Sequence, residues 1–144
     1  MASLVARLQG EGHAVVLTAA PSRDEQAMVE AIQKRLPQPA FSLAAQLSLK
    51  ELAALTAASR LFIGVDSAPM HIAAAVGTPT VALFGPSGDK RWGPWGVPFR
   101  VVASQQHPCR PCGIDGCGGG KVSDCLTSLT VDEVLGAAHE LLAS

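Results

Sequence analysis

Leu61-Phe62-Ile63-Gly64-Val65-Asp66-Ser67-Ala68-Pro69-Met70-His71 reads as a buried strand, an abrupt polar turn and the first turn of a helix. Leu61 to Val65 are apolar apart from Gly64, a pattern that suits a strand covered on both faces. Asp66 and Ser67 offer oxygens where a helix needs a cap, and Pro69 sits where a helix tolerates a residue without an N–H. The helix continues through His71-Ile72-Ala73-Ala74-Ala75-Val76 to Gly77, a natural C-terminal stop. Such a junction aims unpaired backbone N–H groups and a positive helix end at one point, where anions bind. In an open α/β sheet, ligands also sit beyond the carboxyl ends of the strands. A phosphate-bearing ligand at Asp66 to His71 is one reading. An ordinary capped helix after a core strand is the other, and the local pattern leaves both open.

Downstream, Thr80-Val81-Ala82-Leu83-Phe84 reads as a second buried strand that ends in the tight loop Gly85-Pro86-Ser87-Gly88. Phe99 to Ala103 follows as the last strand. Upstream, His13 to Thr18 reads as a buried strand, and Ala40 to Leu43 as a short edge strand. Helices fill the gaps. Residues 2–9 carry Leu4, Val5 and Leu8 on one face. Ser22 with Glu25, Ser48 with Glu51 and Thr130 with Glu133 have capping-box spacing at three helix starts. Strands alternating with helices over short turns predict an α/β fold: a Rossmann-like parallel sheet with helices on both faces. The chain opens on a helix, whereas a nucleotide-binding unit of this kind normally opens on a strand. The expectation is therefore a sheet lacking its first strand, and a fragment.

Length and charge bound the function. The 144 residues suit a single domain. A net charge of −1, without basic or acidic blocks, gives no field for nucleic acid. The apolar runs are short and broken, so none spans a membrane, and the first residues make a poor signal peptide. A cytoplasmic location follows by default.

Cys109, Cys112, Cys117 and Cys125 are spaced C-x2-C-x4-C-x7-C among Pro and Gly. Four thiolates on one loop can hold a tetrahedral structural zinc, with free thiols and disulfides as the alternatives. Gly118-Gly119-Gly120-Lys121 lacks P-loop spacing and reads as a turn. Trp92 and Trp95 either stack on a base or cover the sheet end. His71 is either a neutral donor to a ligand oxygen or a half-buried core residue.

Gly64 to His71, Ala73-Ala74 and the Thr80 to Ser87 segment TVALFGPS together resemble the C-terminal half of the ADP-heptose:lipopolysaccharide heptosyltransferases, glycosyltransferase family nine. The segment Arg91-Trp92-Gly93-Pro94-Trp95-Gly96 and the cysteine loop resemble the heptosyltransferase III branch. The resemblance implies a GT-B enzyme whose C-terminal domain binds a nucleotide-sugar donor, so that residues 1–144 form one donor-binding domain. It implies transfer of heptose from ADP-heptose to the lipopolysaccharide inner core, at the cytoplasmic face of the inner membrane, with no metal required. The acceptor domain, with its general base and any peripheral membrane contact, lies outside this chain, as does a phosphate-neutralising lysine. By the same resemblance Asp66 contacts the donor heptose and Ser67 and Ala68 the diphosphate. His71 lies one helical turn on, Gly85, Pro86 and Ser87 border the donor, and Asp24 or Glu25 contacts the ribose. Two alternatives compete. One is a zinc-stabilised α/β interaction module; the other is a free-standing nucleotide-binding protein that works with a separate acceptor subunit.

Overall fold

A computed structural model describes residues 1–144. The chain runs α1 (Ala2–Gly10), β1 (Val16–Leu17), α2 (Arg23–Gln33), β2 (Phe41–Ser42), α3 (Leu49–Ala57), β3 (Phe62–Val65) and α4 (Ala68–Ala75). It continues with β4 (Thr80–Phe84), α5 (Asp89–Trp92), β5 (Phe99–Ala103), a 3₁₀ turn (Cys117–Gly119), α6 (Asp124–Thr127) and α7 (Val131–Leu142). All strand pairs are parallel, which makes this an α/β fold. The chain divides into two compact units, Met1–Leu52 and Ala53–Ser144. The boundary falls inside α3.

In the first unit β1 pairs with β2, Val16 opposite Phe41 and Leu17 opposite Ser42. Leu4, Val5 and Leu8 bury the predicted face of α1, and Ala40 is buried beside β2. The Gln33 amide closes on Ala40 in both directions, donating to its carbonyl at 2.7 Å and accepting from its N–H at 3.0 Å. The expected strand over residues 13–18 shrinks to two residues, with Val16 exposed. Its apolar run promised burial on both faces, which a two-stranded pair does not give.

In the second unit β4 lies between β3 and β5. All five of its residues are buried. Successive strand side chains point to opposite faces, so this burial needs cover on both. α4 packs against β3 and β4, and α7 against β4 and β5. Met70 of α4 meets Ala82 and Phe84, with Phe62, Val101 and Ala103 around them. α7 buries Val134, Leu135, Ala138 and Leu141. β3 is an edge strand rather than the doubly covered one its composition suggested: Phe62, Ile63 and Gly64 are half-buried and Val65 is exposed.

Local signals end the helices where expected. Gly77, at φ +86°, lets α4 stop in a Schellman turn, with Thr78 N–H bonded to Ala73 O and Gly77 N–H to Ala74 O. Gly12 repeats this motif after α1. Two of the three capping boxes close. Thr130 Oγ1 accepts from Glu133 N, and the Glu133 carboxylate accepts from Thr130 N at 2.7 Å. Ser48 and Glu51 do the same at 3.3 and 2.8 Å. At α2, Ser22 caps Glu25 N, but the Glu25 carboxylate turns to Ala20 N at 2.7 Å.

The carboxyls of Glu133 and Glu51 are held below their ordinary value of 4.5, first by the backbone N–H bond from Thr130 and Ser48, then by the hydroxyls. A carboxylate lowered on folding stabilises fully above its unfolded value, and that contribution fades as pH falls through the folded one. Urea unfolding should therefore show a stability loss below about pH 4.5 that shrinks in the double variant Glu51→Gln, Glu133→Gln. At neutral pH, Thr130→Ala should cost about 1 kcal/mol. Phe84→Ala should cost about 3–5 kcal/mol, because it empties a fully buried position at the end of β4.

Candidate functional site

The parallel register brings two polar turns to one edge of the sheet. Val65 pairs with Leu83, and Asp66 N–H donates to Leu83 O at 3.2 Å. The Asp66-Ser67 turn therefore leaves β3 beside the point where Gly85-Pro86-Ser87 leaves β4. This is the carboxyl edge, where open parallel sheets bind ligands. β5 ends at the same level, with Ala103 opposite Phe84.

Ser67 is the N-cap of α4 by backbone conformation, at φ −162° and ψ 169°. The expected side-chain cap does not form. Its hydroxyl donates backwards to Val65 O at 3.2 Å, satisfying the last carbonyl of the strand instead of the helix. No acidic residue occupies the first turn either. The positive end of an eight-residue helix thus faces this edge, with Asp66, just before the N-cap, as the acidic residue beside it. Ala68 is exposed there. Asp66 is mostly covered and His71 about half exposed, with Nε2 at 3.6 Å from Oδ1. That separation is longer than a hydrogen bond. His71 is thus an exposed residue beside Asp66, not a core histidine.

The Gly85 loop is backed by the cysteine-bearing segment. Arg110 Nε donates to Gly85 O at 2.6 Å, Nη2 lies 3.5 Å from Asp89 Oδ1, and Gly113 N–H donates to Pro86 O at 3.0 Å. Gly85 is buried and Pro86 and Ser87 are half-buried. Sequence reasoning missed Arg110. Its one local signal is a cation inside a Cys/Pro/Gly loop, which carries no address for its partner.

Asp24 and Glu25 lie in the other unit, on the first turn of α2. Asp24 is exposed, and Glu25 spends one oxygen on Ala20 N. The tryptophans do not cover the sheet end: Trp92 is 49% exposed and Trp95 89%. Arg91 holds its guanidinium 5.2 Å from the Trp92 ring centre.

The four thiols are free; Cys109, Cys112 and Cys117 are exposed and Cys125 is buried. No three His, Cys, Asp or Glu side chains gather into a group that can hold a metal ion. As placed, the four thiols do not form the tetrahedral set that zinc would need. Cys125 is buried on α6 while the other three are exposed. Burial is the main cause that raises its pKa, Arg110 lowers it, and Cys117, Cys109 and Cys112 raise it further. Cys117 instead accepts from Asp124 N–H at 3.4 Å.

The family model described as glycosyltransferase family 9 (heptosyltransferase) matches residues 2–122. Over 94 residues the chain is 45% identical to lipopolysaccharide heptosyltransferase 3 of Escherichia coli, covering 65% of this chain and 28% of that protein. It is 30% identical over 147 residues to lipopolysaccharide heptosyltransferase 2 of Salmonella typhimurium, covering 99% of this chain and 41% of that protein. Among solved structures, Escherichia coli ADP-heptose lps heptosyltransferase II superposes with a TM-score of 0.81 at 27% identity, over 99% of this chain and 40% of that one. The chain thus spans well under half the length of these relatives. No helix is long and apolar enough to cross a membrane.

Thiol titration checks the cysteine geometry. At pH 8, Cys109, Cys112 and Cys117 should react readily with Ellman's reagent, and Cys125 only on unfolding, because burial removes both access and thiolate. Four protected thiols released together by a chelator would reverse this reading.

Proposed function

We propose, from the premise that this chain belongs to glycosyltransferase family 9, that it is the donor-binding part of an enzyme transferring heptose from ADP-heptose to the lipopolysaccharide inner core. The observation that carries the reading is the meeting of two turns at one sheet edge: the uncapped start of α4 at Asp66–Ser67 and the loop Gly85–Ser87. The names of the relatives support the sugar and the acceptor.

The chemistry needs what this edge offers. Transfer from a nucleotide sugar develops positive charge at the anomeric carbon and negative charge on the departing diphosphate. Preorganised dipoles stabilise the diphosphate without having to reorient during the reaction. In this reading the backbone N–H groups of Ser67 and Ala68 take the diphosphate at the α4 terminus. Asp66 is repelled by the phosphates and accepts instead from heptose hydroxyls. His71 lies against Asp66 and orients its carboxylate. Pro86 and Ser87 border the donor. The acceptor and the general base that deprotonates it belong to another domain of the enzyme, which works at the cytoplasmic face of the inner membrane. None of these roles requires a metal.

Calorimetry separates the parts. The chain should bind both ADP and ADP-heptose. Asp66→Ala should weaken ADP-heptose about tenfold, the scale of one charged hydrogen bond, and leave ADP nearly unchanged. A folded chain that binds neither nucleotide would overturn the reading. Equal weakening of both would move Asp66 off the sugar.

A further inference from the structure

We infer that Arg110 is the positioning residue of the donor loop, a guanidinium latch that closes both ends of the turn between β4 and α5. The inference rests on the donor-site reading above. Three observations carry it.

First, the two bonds of Arg110 span the turn. Nε takes the carbonyl of Gly85, the first residue after β4, at 2.6 Å. Nη2 lies 3.5 Å from the carboxylate of Asp89, the first residue of α5. The residues between, Pro86 to Gly88, are the turn itself. A planar fork can hold two acceptors at a set angle, and a lysine cannot. Second, the latch is covered. The Arg110 side chain is only 10% exposed. A covered cation persists only where its partners are well placed, so the turn cannot drift from it without leaving a charge unpaired. Third, the same strap adds a backbone tie, Gly113 N–H to Pro86 O at 3.0 Å. On the far side a Cβ on Gly85 would lie 3.2 Å from Leu126 Cβ, so the turn is also seated closely on α6.

The functional consequence follows from preorganisation. A loop bordering a diphosphate contributes most when its groups are already in place. Arg110 removes that ordering step from binding and sets its positive charge behind the loop. This also assigns a task to the cysteine-bearing segment, which brings Arg110 and Gly113 to the loop.

The test combines amide hydrogen exchange with ADP calorimetry on the whole chain. In Arg110→Ala, exchange at Arg91, Trp92, Gly93 and Gly113, whose N–H groups bond carbonyls of the turn and of Asp89, should speed up by about tenfold or more, while Val81 to Phe84 stay protected. ADP affinity should fall by a similar factor, and millimolar guanidinium should restore part of it. Arg110→Lys and Asp89→Asn keep the bulk in place and should show smaller shifts of the same kind, which covers the case of an Arg110→Ala chain that does not fold. Unchanged exchange at these four amides would overturn the inference. So would exchange that rises evenly across Ala53–Ser144, since that marks a residue supporting only global stability. If the unaltered chain binds no ADP, the donor reading fails, and local exchange alone decides whether Arg110 holds the turn.

Discussion

The parallel pairing of β4 with its two neighbours is the constraint from which the candidate site hangs. A parallel ladder puts the carboxyl ends of adjacent strands at one level. With Val65 opposite Leu83 and Ala103 opposite Phe84, three chain segments leave the sheet side by side. Burial on both faces of β4 makes that register costly to change. A one-residue slip would turn Phe84 and Ala82 from the α4 side of the core to the other face. The site is therefore placed by packing several residues away from it.

Within that frame the start of α4, like those of α1, α5 and α6, lacks the side-chain cap that α2, α3 and α7 carry. α7 closes a full capping box, whereas α4 begins at a serine whose hydroxyl turns away. Its C-terminus is finished by a Schellman turn. An uncapped helix start leaves unpaired N–H groups and a positive potential, both of which an anion would satisfy.

The cysteine-bearing loop changes character once its contacts are known. Its spacing suggested a metal clamp, yet the thiols divide between solvent and core. What the loop delivers is a covered guanidinium and one N–H to the turn after β4. Those two hydrogen bonds tie the loop to the sheet edge. The exposed tryptophans show a similar shift: apolar size predicted cover for the sheet end, but the fold leaves them facing solvent.

The amino-acid order alone determined what depends on near neighbours. Helix starts at Ser48 and Thr130, the stop at Gly77, the polar turn at Asp66 and the loop at Gly85 were legible because their interactions span a few residues. The motif around Asp66 and His71 also carried enough pattern to indicate the family. Tertiary structure decided the rest. It made β3 an edge strand, cut β1 to two residues, turned Glu25 to Ala20, divided the chain within α3 and buried Cys125 apart from its companions. Above all it brought Arg110 to Gly85, 25 positions away. Nothing local to Arg110 encodes that bond, because its partner is a backbone carbonyl, a group that every residue carries and only the fold can put in reach.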